Sequence, residues 1–107
     1  MKCLTVVEET VILAIYRLHE NAYSVTIHQE ILDMTGKDII VGTLFNTLKQ
    51  LHRKGYLHKM KGKPIHERGG KRIVFYRISK EGFHALEQTR SMNTKIWDQL
   101  PDVLYEG

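Results

Sequence analysis

The sequence is short of the residues that cross-link or interrupt a chain: it holds one cysteine, Cys3, and two prolines, Pro64 and Pro101. A single thiol excludes an internal disulfide and any multi-thiolate zinc site, and Cys3 reads as a near-terminal residue without chemical duty. Six histidines are present, but none stands three or four residues from another, the spacing that sets two ligands on one helix face. No metal and no cofactor are therefore expected. Apolar runs long enough to cross a membrane, about 18 residues or more, are missing as well. The N-terminus leads from Met1-Lys2-Cys3 directly into Thr5-Val6-Val7-Glu8-Glu9, which is not a secretory signal layout. The expectation is a cytoplasmic protein without a membrane partner, folded as one domain over residues 1–107.

Catalytic patterns are equally scarce. No Ser, His and acid arrangement stands out. Gly69-Gly70-Lys71 departs from a phosphate loop, because Ile65 occupies the earlier glycine position and Arg72 follows the lysine where Ser or Thr is needed. There is no positive case for an enzyme.

What the chain does have is concentrated positive charge. Between Lys49 and Arg72 stand nine basic residues (Lys49, Arg53, Lys54, Lys59, Lys61, Lys63, Arg68, Lys71, Arg72) against one acid, Glu67. That stretch carries +8 in a chain whose formal charge is +4, so the remainder sums to −4. Charge gathered in this way favours a polyanionic partner. His52 and His66 would add positive charge to it as pH falls.

Apolar periodicity and stop signals divide the chain. Thr5 to Glu20 reads as a first helix, with Thr5 and Glu8 in capping-box spacing. Its centre, Val11-Ile12-Leu13-Ala14-Ile15-Tyr16, is apolar on every side, which fits either a helix central to the monomer or one shared with a second subunit. Thr26 to Thr35 makes a second helix that Gly36 ends, and Val41 to Lys54 a third that Gly55 ends. Leu57 to Lys61 and Ile73 to Ile78 read as strands, with Gly62, Pro64, Gly69 and Gly70 assigned to the loop between them. Ser79 opens a last helix whose extent Pro101 limits. Two neighbouring stripes on it are about equally good seams. One is Phe83, Leu86, Arg90, Asn93, Trp97, Leu100 and Leu104; the other is Ala85, Thr89, Met92, Ile96 and Leu100.

The order of three helices, strand, loop, strand and helix is that of a winged helix-turn-helix: mainly α with a small two-stranded β-wing. On the third helix Leu44, Leu48 and Leu51 share a core face, which leaves Gly42, Asn46, Lys49 and Arg53 opposite, with Gln50 at the margin. Arginine bonds guanine bidentately, Asn and Gln bond adenine, and Lys or Thr hold phosphate. Gly42 and Thr43 also leave backbone N–H groups open to a phosphate oxygen. In the wing, Lys63, Arg68, Lys71 and Arg72 are placed to follow the DNA backbone or enter the minor groove.

The apolar first helix, NAYSVTIHQEI, the block TLFNTLKQLHRKGYL, and ERGGKR leading into FYRISKEG together resemble the PadR-type transcriptional regulators, in particular the short members without an extra C-terminal domain. The resemblance runs over roughly Leu4 to Leu86. The departures are Ser24 for Gly, Phe45 and Phe75 for Tyr, and Ser79 for Thr. It implies a double-stranded DNA-binding repressor that pairs through its first and last helices. Val11, Ile12, Ile15, Met92, Ile96, Trp97 and Leu100 are then the expected homodimer interface, and residues 80–104 the dimerisation helix and tail. It further implies that a small aromatic effector could bind at that interface, beside Trp97. The alternative reading is a winged-helix adaptor whose basic face takes acidic protein or RNA partners; such an adaptor would display an apolar patch on its outer face.

Overall fold

The structure is a computed structural model that describes residues 3–64 and 72–100. Helix α1 spans Val6–Leu18 and is followed by a 3₁₀ turn, His19–Asn21. Helices α2 (Ser24–Thr35) and α3 (Val41–Arg53) come next, then strands β1 (Leu57–Pro64) and β2 (Arg72–Ile78), and finally helix α4 (Lys80–Gln99). This is the winged helix-turn-helix, mainly α with a two-stranded antiparallel wing.

Each boundary has a local cause. At the start of α1 the Thr5 hydroxyl accepts from the Glu8 N–H at 3.1 Å, and the Thr5 N–H donates to Glu8 Oε1 at 2.9 Å. The helix stops at His19, whose φ of 53° lies where side-chain-bearing residues rarely sit, so the expected continuation to Glu20 becomes the 3₁₀ turn. Helix α2 begins two residues before the expected Thr26. Its N-cap residue, Tyr23, supplies no side-chain cap. The Thr26 hydroxyl instead accepts the Tyr23 N–H at 3.0 Å and donates to the Asn21 carbonyl at 2.6 Å. Gly36 and Gly55, with φ of 72° and 82°, end α2 and α3 as expected. After α3 the Gly55 N–H reaches the His52 carbonyl and the Tyr56 N–H the Leu51 carbonyl, a Schellman pair that turns the chain into β1.

The wing differs from the sequence expectation. Gly62 and Pro64 belong to β1, and β2 starts at Arg72. Leu57 pairs with Ile78 and Lys61 with Val74, after which the register shifts before Pro64 meets Arg72. Proline is tolerated there because an irregular ladder does not need its missing N–H. Gly62 belongs there for a packing reason, since a Cβ would stand 2.7 Å from the Phe75 ring.

Val11, Ile12 and Ile15 correct the interface expectation. They are 0%, 0% and 2% exposed, enclosed in the chain's own core. Helix α1 is central, packed by α2, α3, β2 and α4, while Leu13 and Tyr16 of its apolar run border a groove beside α4. These three side chains have no surface to offer a partner. Part of α4 as far as Met92 also turns inward: Thr89 Oγ1 accepts the Leu4 N–H at 2.9 Å, and the half-buried Met92 has its sulfur 3.7 Å from that of Cys3. Ile96, Trp97 and Leu100, about half exposed, lie on the part of α4 that runs past the core. Leu104 and the end of the 80–104 segment lie outside the described residues. Among the described residues no helix is long and apolar enough to cross a membrane.

Candidate nucleic-acid interface

Leu44, Leu48 and Leu51 anchor α3 at 0–1% exposure, so the helix cannot roll without opening the core. Its opposite side is thereby fixed outward: Gly42, Thr43, Asn46, Lys49, Gln50 and Arg53 are all exposed. Among the described residues the side chains of Asn46, Lys49, Gln50 and Arg53 have no hydrogen-bond or ionic partner. These groups can meet a ligand without first breaking an internal contact. The structure thus brings six of the ten expected DNA-binding residues onto one face. Of the wing residues, Arg68 and Lys71 lie outside the described residues. Lys63 and Arg72 have their backbone in the strands, and their side chains lie outside the described part.

Several charges have other duties or places than their position in the sequence suggests. Lys54, one of the nine bases, has its Nζ 2.6 Å from Glu8 Oε2. Glu8 is only 2% exposed. Burial pushes the Glu8 carboxyl up, but hydrogen bonds from Lys54 and the Thr5 backbone, with the Lys54 charge, outweigh it and hold the group below its ordinary value. Lys54 therefore joins the end of α3 to the start of α1. Lys59 and Lys61, to which spacing alone assigns no role, are exposed on β1. No acidic residue lies between Asp38 and Glu67, so α3 and β1 contribute no negative charge to this side.

Beside the polar face is an apolar lip that sequence reading missed. Val25 at the start of α2 and Val41 and Phe45 on α3 are 51%, 54% and 50% exposed. With Ser24, His28 and Gln29 they border a cavity of about 330 Å³. The signal was present in the i, i+4 spacing of Val41 and Phe45, but α2 had to be started at Ser24 for Val25 to join them. His28 braces this corner, its Nε2 2.9 Å from both the Ile39 carbonyl and Asp38 Oδ1. A second groove, about 470 Å³, lies between α1 and α4 among Glu9, Leu13, Tyr16, Phe83, Leu86 and Arg90. Tyr16 and Phe83 meet there edge to face, centroids 6.1 Å apart.

The fold and the outward α3 place the chain in the winged-helix class. Solved structures narrow the likeness. A PadR-family transcriptional regulator from Eggerthella lenta superposes with a TM-score of 0.69 at 24% identity, over 88% of this chain and 80% of that one. A PadR-like transcriptional regulator from Bacillus cereus gives 0.73 at 14% identity, over 92% and 91%. A transcriptional regulator from Clostridium thermocellum gives 0.67 at 23% identity, over 92% and 87%. The chain therefore has the fold of solved PadR-type regulators. No family model matches the sequence, and no curated protein matches it.

Proposed function

We propose that this chain is a PadR-type regulator of transcription: one winged-helix domain over residues 1–107 that binds double-stranded DNA as a homodimer and represses at an inverted-repeat operator. The observation that carries the reading is the outer face of α3, unpartnered among the described residues, with Asn46, Lys49, Gln50 and Arg53 exposed on a helix whose other face is locked into the core. Asn46, Gln50 and Arg53 are the types that bond base edges, while Lys49, Thr43 and the wing cations Lys63, Arg68, Lys71 and Arg72 suit phosphate.

For the dimer, the support is the exposed stripe Ile96, Trp97 and Leu100, together with the α1–α4 groove that a second α4 would fill. Two-fold pairing sets the two α3 helices about one DNA turn, roughly 34 Å, apart, which is why the operator is an inverted repeat. The α1–α4 groove, with Tyr16 and Phe83 on its wall, is also of a size to take a small aromatic effector.

The adaptor reading is favoured by one observation, the apolar lip of Val25, Val41 and Phe45. A salt titration separates the two. Genomic fragments selected by the protein should bind with an affinity that falls steeply as salt rises, because each neutralised phosphate releases counterions. An affinity for duplex DNA that is weak at every salt concentration, or indifferent to salt, overturns the DNA reading and leaves the adaptor.

A further inference from the structure

We propose that the lip formed by Phe45, Val41 and Val25 reads thymine through its C5 methyl group, making Phe45 a specificity-determining residue. The inference rests on the DNA-binding reading above. Helix-turn-helix proteins present base edges to the N-terminal part of the recognition helix, and Val41 and Phe45 are the first and fifth residues of α3. A face that only gripped phosphate would need cations there. Instead, half-exposed aliphatic and aromatic side chains border a hollow of about 330 Å³. The lip adjoins the polar face, for Lys49 stands four residues after Phe45, one turn further on the same side. Charge complementarity points to the same occupant: α3 contains no acidic residue, and Lys49 and Arg53 are exposed along it.

Among base edges in the major groove, the apolar group on offer is the thymine methyl, and phenylalanine is one of the side chains that meets it. Asn46 beside it suits adenine, so the two adjacent residues select A·T pairs by different chemistry. The occupant of the lip is therefore duplex DNA rather than a protein helix. Gly42 helps, since a Cβ at that position would meet nothing within 4 Å and the helix start is open to close approach.

The test uses the full chain and the operator it selects, synthesised once with thymine and once with deoxyuridine, which pairs identically but lacks the methyl. Wild-type protein should bind the uracil duplex more weakly, by about fourfold for each methyl group that the lip covers in the thymine duplex. Phe45→Ala should bind the thymine duplex as weakly as wild type binds the uracil one, and should no longer distinguish the two. Phe45→Leu should keep part of the discrimination, and Val25→Ala should reduce it. Equal wild-type binding to both duplexes, with salt-sensitive DNA binding intact, overturns the inference and leaves the DNA reading standing. A uracil penalty that persists unchanged in Phe45→Ala and Val25→Ala also overturns it, because the penalty then comes from duplex shape. Absence of binding to either duplex removes the underlying reading itself. Phe45 is half exposed, so its truncation spares the core; circular dichroism of each variant verifies the fold.

Discussion

Gly42 sits in the first turn of α3 although a helix is weakened there by about 0.5–1 kcal/mol relative to alanine. The folded chain has no need of it. Its φ is not left-handed, and a Cβ would meet nothing within 4 Å. Gly62, by contrast, is required by the Phe75 ring that lies over it. A glycine without an internal reason fits a surface that another molecule must approach closely. Gly42→Ala should therefore raise stability by about 0.5–1 kcal/mol in denaturant titrations while weakening operator binding severalfold. An alanine variant that is stabilised and binds as tightly as wild type would remove close approach at Gly42 from the picture.

At the scale of elements, the ion pair between Glu8 and Lys54 connects α1 to the end of α3. One Glu8 oxygen completes the α1 capping box and the other holds Lys54. Glu8→Gln should destabilise the fold by about 1–3 kcal/mol, since the Lys54 charge and a buried acceptor lose each other. The carboxyl is held below its ordinary value of 4.5. Its contribution is thus present in full above the unfolded carboxylate range and is lost as pH falls through that range and below. Wild type should lose stability from about pH 5 downward more steeply than Glu8→Gln, in thermal melts across pH 3 to 7. Parallel melts would mean that other carboxylates dominate the acid limb.

Elements governed by short-range rules were legible in the sequence. The Thr5–Glu8 box, the glycine stops at Gly36 and Gly55, and the leucine face of α3 each depend on residues within about one turn. Where a partner distant in sequence decides, the sequence was silent. Glu8 reads as a capping residue until Lys54 is brought to it from the end of α3, and Lys54 reads as free charge until then. Helix α2 hid its start because the capping oxygen comes from Thr26, inside the helix. Val11, Ile12 and Ile15 were ambiguous for the same reason, since only the packing of four other elements settles which apolar faces remain bare. On α3, the outward placing of Gly42, Asn46, Lys49, Gln50 and Arg53 was readable from periodicity and that of Thr43 from its place in the first turn, whereas the apolar lip needed two helices in register.

On the scale of the whole molecule, α4 divides its work. Ala85 and Thr89 are buried against the chain's own body, while Ile96, Trp97 and Leu100 remain 47%, 56% and 50% exposed. On the dimer proposed above, replacing Ile96 and Leu100 together with glutamate leaves every buried residue in place, and should give a monomer by sedimentation that melts like wild type. Its operator affinity should fall although α3 is untouched, because two half-sites are then no longer gripped at once. A double variant that stays dimeric and binds normally would exclude this stripe as the seam.

If the proposed dimer forms through the bare stripe on α4, it also shapes how a cell would experience this protein. Pairing through a surface that each subunit exposes on its own is governed by mass action, so below the dissociation constant the amount of dimer grows as the square of the total chain. Halving synthesis would then leave about a quarter of the active species. A promoter under such control would respond to gene dosage with a threshold, staying open through small fluctuations in expression and closing sharply once the protein accumulates.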